Sequence, residues 1–457
     1  MTTGMASVWQ LLGQPVVQQL LHIHPNDAAA TDFRAPEEWT WWEDPPDWQN
    51  LAEDPELKCF LGQIGELELP RDAIALDRLV GQSAHGMSPK KHHEVTRMSD
   101  YIGRLLPARF PALDPASVRI VDIGAGQGYV TRALHSHFRA YTLALDSDHA
   151  QTTGAQSRAA NAVTHDITHR TLHITEHTLL RAIDDWIPST LGDTDTNAAP
   201  VPVLFIALHA CGSLTPDILR AFLRAHAAPP PLWTPLALVA VGCCYNLLHP
   251  HDFPLAPLPS PPPPLPPAAY HLAAQVPAHW PANPAAAALS LRKVVWRALL
   301  ARLYADLHPA HPPTSTRPGT GSTPTMQRLG RLRDAAYLAW PAFLATAGTK
   351  VGVDFVAAAA NSDTQGRHPL LERRLEVLHV LRCSLGPLIE SLIILDRIAW
   401  FRTALEDAEP NNKGSPERIE VTPQHHMQIE AINLFDQATG SARNIALVVA
   451  PAPPSQK

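Results

Sequence analysis

Gly124, Gly126 and Gly128 alternate directly behind Asp122 in Val118-Arg-Ile-Val-Asp-Ile-Gly-Ala-Gly-Gln-Gly-Tyr-Val-Thr-Arg-Ala-Leu134, where an apolar run turns into an amphipathic stretch. Glycine admits positive φ and carries no Cβ, so a loop of this kind lets the main chain lie against a bound molecule. The spacing is G-x-G-x-G. A dinucleotide fingerprint would place its third glycine where Tyr129 stands, which disfavours a nicotinamide enzyme. About 20 residues further on, Tyr141-Thr-Leu-Ala-Leu-Asp146 ends in a carboxylate that can accept hydrogen bonds from the vicinal hydroxyls of a ribose. The alternative is that Asp146 caps a helix beginning near Asp148.

Two later segments repeat the plan of an apolar run ending in a reactive loop. Phe205-Ile-Ala-Leu-His-Ala-Cys-Gly-Ser-Leu-Thr-Pro-Asp-Ile-Leu219 reads as a buried strand, a polar loop from His209 to Ser213, and a helix with Thr215 as N-cap and Pro216 at its first position. Leu238-Val-Ala-Val-Gly-Cys-Cys-Tyr-Asn246 is the other. If the two strands are neighbours, His209, Cys211, Cys243, Cys244 and Tyr245 converge beside the glycine loop. His209 could take a proton near neutral pH, or could simply bond to backbone. A Cys211 thiolate could add to a pyrimidine ring carbon, but it lacks the preceding proline and nearby acid that such chemistry uses, and small cysteines also pack well. Zinc held by His209, Cys211, Cys243 and Cys244 is disfavoured by spacing, because structural sites favour C-x₂₋₄-C, so no metal is expected.

Upstream, Ser88-Pro-Lys-Lys-His-His-Glu94 fits a helix start with Ser88 as N-cap and Pro89 at the first position. It is either a solvated charged turn or a substrate grip. In the second case Lys90 and Lys91 hold a phosphate or carboxylate while His93 and Glu94 face the ligand pocket.

These residues need a scaffold, and the pattern predicts one. Strands near 118–123, 141–146, 172–176, 201–209 and 236–242 alternate with helix-like segments, which specifies an α/β fold with a parallel sheet and right-handed crossovers. Ligands of open sheets bind at the carboxyl ends of the strands, where all of these loops fall. Residues 1–85 read as an N-terminal helical region containing Trp39, Trp41, Trp42 and Trp48, and residues 86–250 as the ligand-binding core. Residues 251–415 read as a proline-rich linker and helical insertion, with helices at Ala286–Leu307, Gln327–Ala345 and Pro369–Ala404. Residues 416–457 form a hairpin, from Ile432-Asn-Leu-Phe435 through a turn at Gly440 to Asn444–Ala450, that completes the core sheet. The proline runs around 260–267 and 309–324 read as spacers or surface loops.

Composition narrows the classes. A formal net charge of −7 gives no global field for nucleic acid, although a local patch is compatible with it. No unbroken apolar run reaches the length of a membrane span, and the N-terminus lacks a basic region followed by an apolar core, so a soluble chain without a membrane role is expected. The five cysteines show no disulfide framework and include an adjacent pair, which fits a reducing compartment: cytoplasm, nucleus or mitochondrial matrix.

The glycine loop, Asp146, Leu208-His-Ala-Cys-Gly212, Val241-Gly-Cys-Cys-Tyr245, Met87-Ser-Pro-Lys-Lys-His-His-Glu-Val95, the stretch from Leu381 to Arg397, and Leu434-Phe-Asp with Arg443-Asn444 together resemble the methyltransferase-like protein 25 family. That family includes a member named for a ribosomal RNA adenine dimethylase domain. The resemblance runs from about Met87 to near the end, interrupted by proline-rich stretches. It implies a class I, Rossmann-like fold, S-adenosyl-L-methionine as cofactor, and methyl transfer to an RNA or protein acceptor. By position, Asp122, Gly124, Gly126, Gly128 and Asp146 would line the cofactor site, and Glu176, in preference to Asp166, would contact the adenine from the third strand. His209 and Cys211 would be the catalytic candidates, and Lys90, Lys91, His93 and Tyr245 the acceptor-binding ones. Adenine N6 chemistry is disfavoured, because His209-Ala-Cys-Gly212 occupies the place of the acidic or amide residue followed by two prolines and an aromatic that grips an exocyclic amine. That departure motivates the alternative of a catalytically degenerate binding protein on the same fold.

Overall fold

A computed structural model of the chain describes residues 2–23, 28–37, 39–77, 86–160, 166–191, 199–257, 264–308, 329–361, 368–408, 426–437 and 441–453. The proline runs at 258–263 and 309–324, the start of the expected helix at Gln327 and the expected turn at Gly440 lie outside the described residues. Chain contacts divide the protein into two compact units. One comprises residues 1–5, 70–261 and 391–457, and the other residues 6–69 and 262–390. These limits differ from the boundaries expected at 85, 250 and 415. The N-terminal region packs with most of the later helices in one unit, and the chain rejoins the sheet unit from 391 onward.

The first unit is built on a seven-stranded sheet. Its strands are β1 (Arg119–Ile123), β2 (Thr142–Asp146), β3 (Ile167–Thr171), β4 (Val201–Cys211), β5 (Trp233–Cys243), β6 (Met427–Asn433) and β7 (Ile445–Pro451). Their order is β3-β2-β1-β4-β5-β7-β6. The first five run parallel, while β7 pairs antiparallel with both β5 and β6. The hairpin therefore completes the sheet, as expected. Strand order reverses between β1 and β4, which opens a crevice at their carboxyl ends.

β4 and β5 are continuous apolar runs because both of their faces are covered. Helix Pro89–Arg109 packs Val95, Met98, Ile102 and Leu105 into the same core as Ile120, Leu204, Ile206, Val239, Val241, Leu434, Phe435 and Val448. The same helix is fixed to the C-terminal hairpin by Arg97 donating to the Leu434 carbonyl and by an Arg109–Glu430 ion pair at 2.7 Å.

β3 is displaced from the expected 172–176 to Ile167–Thr171. A capping box explains the shift. The Thr175 side chain accepts from the Thr178 N–H and the Thr178 hydroxyl accepts from the Thr175 N–H, so a helix starts at Glu176. β3 is only partly buried and its sequence, Ile-Thr-His-Arg-Thr, has no apolar alternation to mark it.

The other unit holds helices Pro15–His22, Pro55–Leu67, Pro284–Leu307, Trp340–Val351, Phe355–Asn361 and Pro369–Ser384. The helix expected over 327–345 begins instead at Trp340, with Pro341 in its first turn and a short 3₁₀ turn at Asp334–Tyr337 before it. Buried Arg382 donates to the Leu20 carbonyl at 2.6 Å, joining segments distant in sequence. The stretch expected as one helix from Pro369 is interrupted at Leu385, and Gly386–Ala408 continues beyond it. By length and composition Pro369–Ala408 would cross a membrane, which the unbroken-run criterion overlooked, but 83% of its most apolar window is buried, as in the core helix of a folded protein.

Within the first unit, buried Asp396 accepts from the Leu255 N–H at 2.9 Å and the Ala256 N–H at 2.9 Å, fixing the chain as it leaves β5. Asp396→Ala strands two amides, and urea denaturation is expected to show a loss of about 2–4 kcal/mol. An unchanged midpoint would mean that these amides have another acceptor.

Candidate functional site

The three glycines occupy the turn from β1 into helix Tyr129–Phe138, and all have positive φ: 75° at Gly124, 55° at Gly126 and 68° at Gly128. Two of these positions are also closed to a side chain by what surrounds them. A Cβ on Gly124 would crowd the His209 carbonyl at 3.3 Å, whereas one on Gly126 would meet nothing within 4 Å and would occupy ligand space. The loop is held by Gly124 and Ala125 N–H groups donating to the Leu145 carbonyl, and by the Gly126 N–H donating to Asp146 Oδ2 at 2.8 Å. Asp146 Oδ1 accepts from the Asp148 N–H at 2.8 Å. Asp146 thus fastens the glycine loop and the following turn, with its carboxylate on the cavity wall.

That cavity measures about 880 Å³ and is bounded by Gly124, Gly126, Tyr129, Asp146, His173 and His209 among others. Asp122 reaches it from below but is buried, and its Oδ2 accepts from the Thr131 hydroxyl at 2.5 Å. Burial pushes the Asp122 carboxyl up, to about 6, despite the Thr131 hydrogen bonds that oppose the shift. It fixes β1 to the helix and is not a free surface for a ligand.

His209, at the end of β4, meets helix Pro89–Arg109. Ser88 caps that helix as expected, accepting from the Lys91 N–H. Lys91 Nζ lies 2.7 Å from His209 Nε2 and 3.1 Å from Glu94 Oε2, and His209 Nε2 lies 3.3 Å from the same Glu94 oxygen. The Ser441 hydroxyl donates to Glu94 Oε1 at 2.8 Å. Burial to 1% exposure would raise the Glu94 carboxyl, but His209, Ser441 and Lys91 outweigh it and hold the group at about 2. When neutral, His209 Nε2 accepts from the lysine ammonium. When protonated, it donates to a carboxylate already in place.

Cys211 lines the cavity as well, with its Sγ 3.2 Å from that of Cys243. The hydrogen bond from Cys243 favours the Cys211 thiolate and lowers that thiol to about 6, whereas Cys243 is raised by the same pairing and by burial.

Several expected residues fall elsewhere. Glu176 opens its helix and pairs with Arg224 at 2.8 Å, so the third-strand wall consists of His173, Ile174 and Thr175 instead. Tyr245 is buried beneath the Arg397 guanidinium, 5.6 Å from the ring centroid, and does not reach the cavity. His93 turns to the hairpin, where its Nε2 accepts from the Asp436 N–H. Lys90 is exposed and 3.7 Å from Glu94, and Lys91 is engaged by Glu94 and His209, so the lysine pair is not a free anion grip. Gly128 supports the loop without lining the cavity. Thr215 is no N-cap. Its helix starts at Leu214 after Ser213, and the Thr215 hydroxyl donates to the Ala210 carbonyl.

The sequence reading missed Tyr129, Gln151, His249 and His251, which also line the cavity. Tyr129 donates to the Gly86 carbonyl, and the His249 and His251 rings stack 5.5 Å apart. His249-Pro-His-Asp252, directly behind β5, was the available signal. Gly212 brings this loop in: a Cβ there would strike Leu247 at 2.6 Å, and the Ser213 hydroxyl accepts from the His249 N–H.

With this geometry in view, comparison with known proteins is informative. Residues 90–251 match the protein-family model described as a methyltransferase domain. The domain has the class I, Rossmann-like methyltransferase fold, with the strand order described above and a reversed β7 between β5 and β6. Similar solved structures include the plantazolicin methyltransferase BpumL in complex with SAH, 13% identical over 43% of this chain and 56% of that one, at a TM-score of 0.21. The DszA carbon methyltransferase is 20% identical over 35% and 37%, at 0.21. Geranyl diphosphate C-methyltransferase from Streptomyces coelicolor A3(2), in complex with Mg2+, geranyl diphosphate and S-adenosyl-L-homocysteine, is 14% identical over 41% and 65%, at 0.20. The chain thus spans less than two thirds of each, and the fold assignment rests on the strand order and the domain match.

Glu94 yields a pH prediction. Its folded pKa is depressed, so its stabilising contribution is present above the unfolded value near 4.5 and is lost as pH falls toward about 2. Glu94→Gln is expected to cost roughly 3 kcal/mol at neutral pH, with the gap from wild type closing below that unfolded value. Denaturation at several pH values checks this, and a gap independent of pH would contradict it.

Proposed function

We propose that the protein is an S-adenosyl-L-methionine-dependent methyltransferase that modifies an RNA or protein acceptor, and that it is a member of the methyltransferase-like protein 25 family. One observation carries the reading: a glycine turn open to a large cavity at Gly126, fastened to a carboxylate at the end of the next strand. The residues present fit the cofactor. Gly126 leaves room for a ligand against the main chain, and Asp146 can accept from ribose hydroxyls. When bound, the cofactor supplies an electrophilic sulfonium methyl, a chemistry that needs positioning and desolvation more than a strong base.

The chain's own contribution centres on His209. It takes the acceptor's proton, and the Glu94 carboxylate beside it stabilises the imidazolium that results. Lys91 positions both groups. Tyr129, His249 and His251 widen the polar wall toward a macromolecular acceptor. The unpaired cysteines among the described residues support an intracellular protein, cytoplasmic or nuclear.

Labelled S-adenosylmethionine added with the protein to extracts of cells lacking it is expected to label an RNA or a protein fraction, and His209→Ala is expected to lower the rate about 100-fold. Cofactor binding with no labelled acceptor in either fraction would favour a binding protein that has lost catalysis. Label in a small-molecule fraction alone would exclude both macromolecular acceptors.

A further inference from the structure

The Sγ atoms of Cys211, Cys243 and Cys244 all lie within 4.8 Å of one another. Two features of the backbone bring them together. Cys211 and Cys243 are register partners at the ends of parallel β4 and β5, just beyond a register shift between Ala207 and Ala210. Cys243 and Cys244 are adjacent, and in an extended strand their side chains would leave opposite faces. Cys244 instead has φ 49° and ψ 48°, a left-handed conformation uncommon outside glycine. The strand therefore ends on a non-glycine residue in a sparsely populated conformation, and the result is three sulfurs around one point.

From this arrangement we infer that Cys211, Cys243 and Cys244 form a three-thiolate site for one zinc ion, with the fourth coordination position directed through Cys211 into the cavity. A tetrahedral ion with Zn–S bonds of about 2.3 Å holds its sulfurs about 3.8 Å apart. The observed separations, 3.2 Å between Cys211 and Cys243 and at most 4.8 Å overall, bracket that value. Three soft donors select zinc over magnesium or calcium, and three protein ligands with an open position are the pattern of zinc sites that bind a reactant or water. The spacing argument against zinc assumed that both adjacent cysteines and His209 had to serve together. In the fold, the third sulfur comes from the neighbouring strand, and His209 is engaged by Lys91 and Glu94. Buried Cys243 anchors the site, while Cys211, on the cavity wall, leaves it accessible. The inference does not depend on the methyl donor or on turnover.

Titration of the full-length, fully reduced apoprotein with cobalt(II) reads the site directly. About one equivalent is expected to give sulfur-to-cobalt charge-transfer absorption with tetrahedral visible bands, both abolished by equimolar zinc. Native mass spectrometry of protein purified without chelator is expected to find one zinc per chain. Cys211→Ser and Cys244→Ser are expected to lose these signals while keeping the wild-type circular dichroism, and Cys59→Ser, an exposed cysteine of the other unit, is expected to retain them. Absence of a cobalt–thiolate band in folded, reduced wild-type protein would overturn the proposal. So would a band that survives Cys211→Ser, or a Cys211–Cys243 disulfide in protein prepared without oxygen. None of these outcomes touches cofactor binding, which is measured separately.

Discussion

The hydrogen bonds that Asp146 accepts from the Gly126 and Asp148 amides are the constraint on which the rest of the site depends. One carboxylate at the end of β2 reaches across to the turn after β1 and holds it in a conformation that needs positive φ at three positions. Because an anion accepts these bonds, they are stronger than neutral ones. The turn they secure stays open at Gly126, and the cavity lies beside it. Strand order supplies the rest: β4 lies on the other side of β1, so the reversal of the sheet places His209 and Cys211 opposite Asp146 across one crevice.

A second device, the buried Glu94 anion, connects parts of the chain far apart in sequence. Removing a carboxylate from water is costly unless charge and hydrogen bonds replace the solvent. Here Lys91, His209 and Ser441 do so from the same helix, from β4 and from the C-terminal hairpin. The hairpin therefore does more than cover the sheet edge, since it completes the environment of the group that orients His209. The charged opening of helix Pro89–Arg109 thereby acts as an internal clamp on the active crevice instead of a solvent-facing anion grip.

What was legible in the sequence follows from how local each signal is. The glycine turn, Asp146, the Ser88 cap and the buried strands β1, β2, β4 and β5 were readable because their residue types answer to backbone φ, capping or burial within a few positions. β3 was misread because an edge strand that is half exposed carries no apolar alternation, and its helix start was hidden in a threonine capping box. Glu176 and Tyr245 were assigned to the site by position along the chain. Their partners, Arg224 and Arg397, lie far off in sequence and draw them away. The convergence of the cysteines could not be read from spacing, because it depends on the register of two strands and on one left-handed residue.

Calorimetry of the purified full-length protein with S-adenosylhomocysteine, S-adenosylmethionine and NAD, on wild type and on Gly126→Val, tests the central claim most directly. The account predicts saturable binding of the two adenosyl compounds, none of NAD, and loss of binding in the folded variant. Absence of heat with either adenosyl compound, or binding unimpaired by a valine at 126, would contradict it.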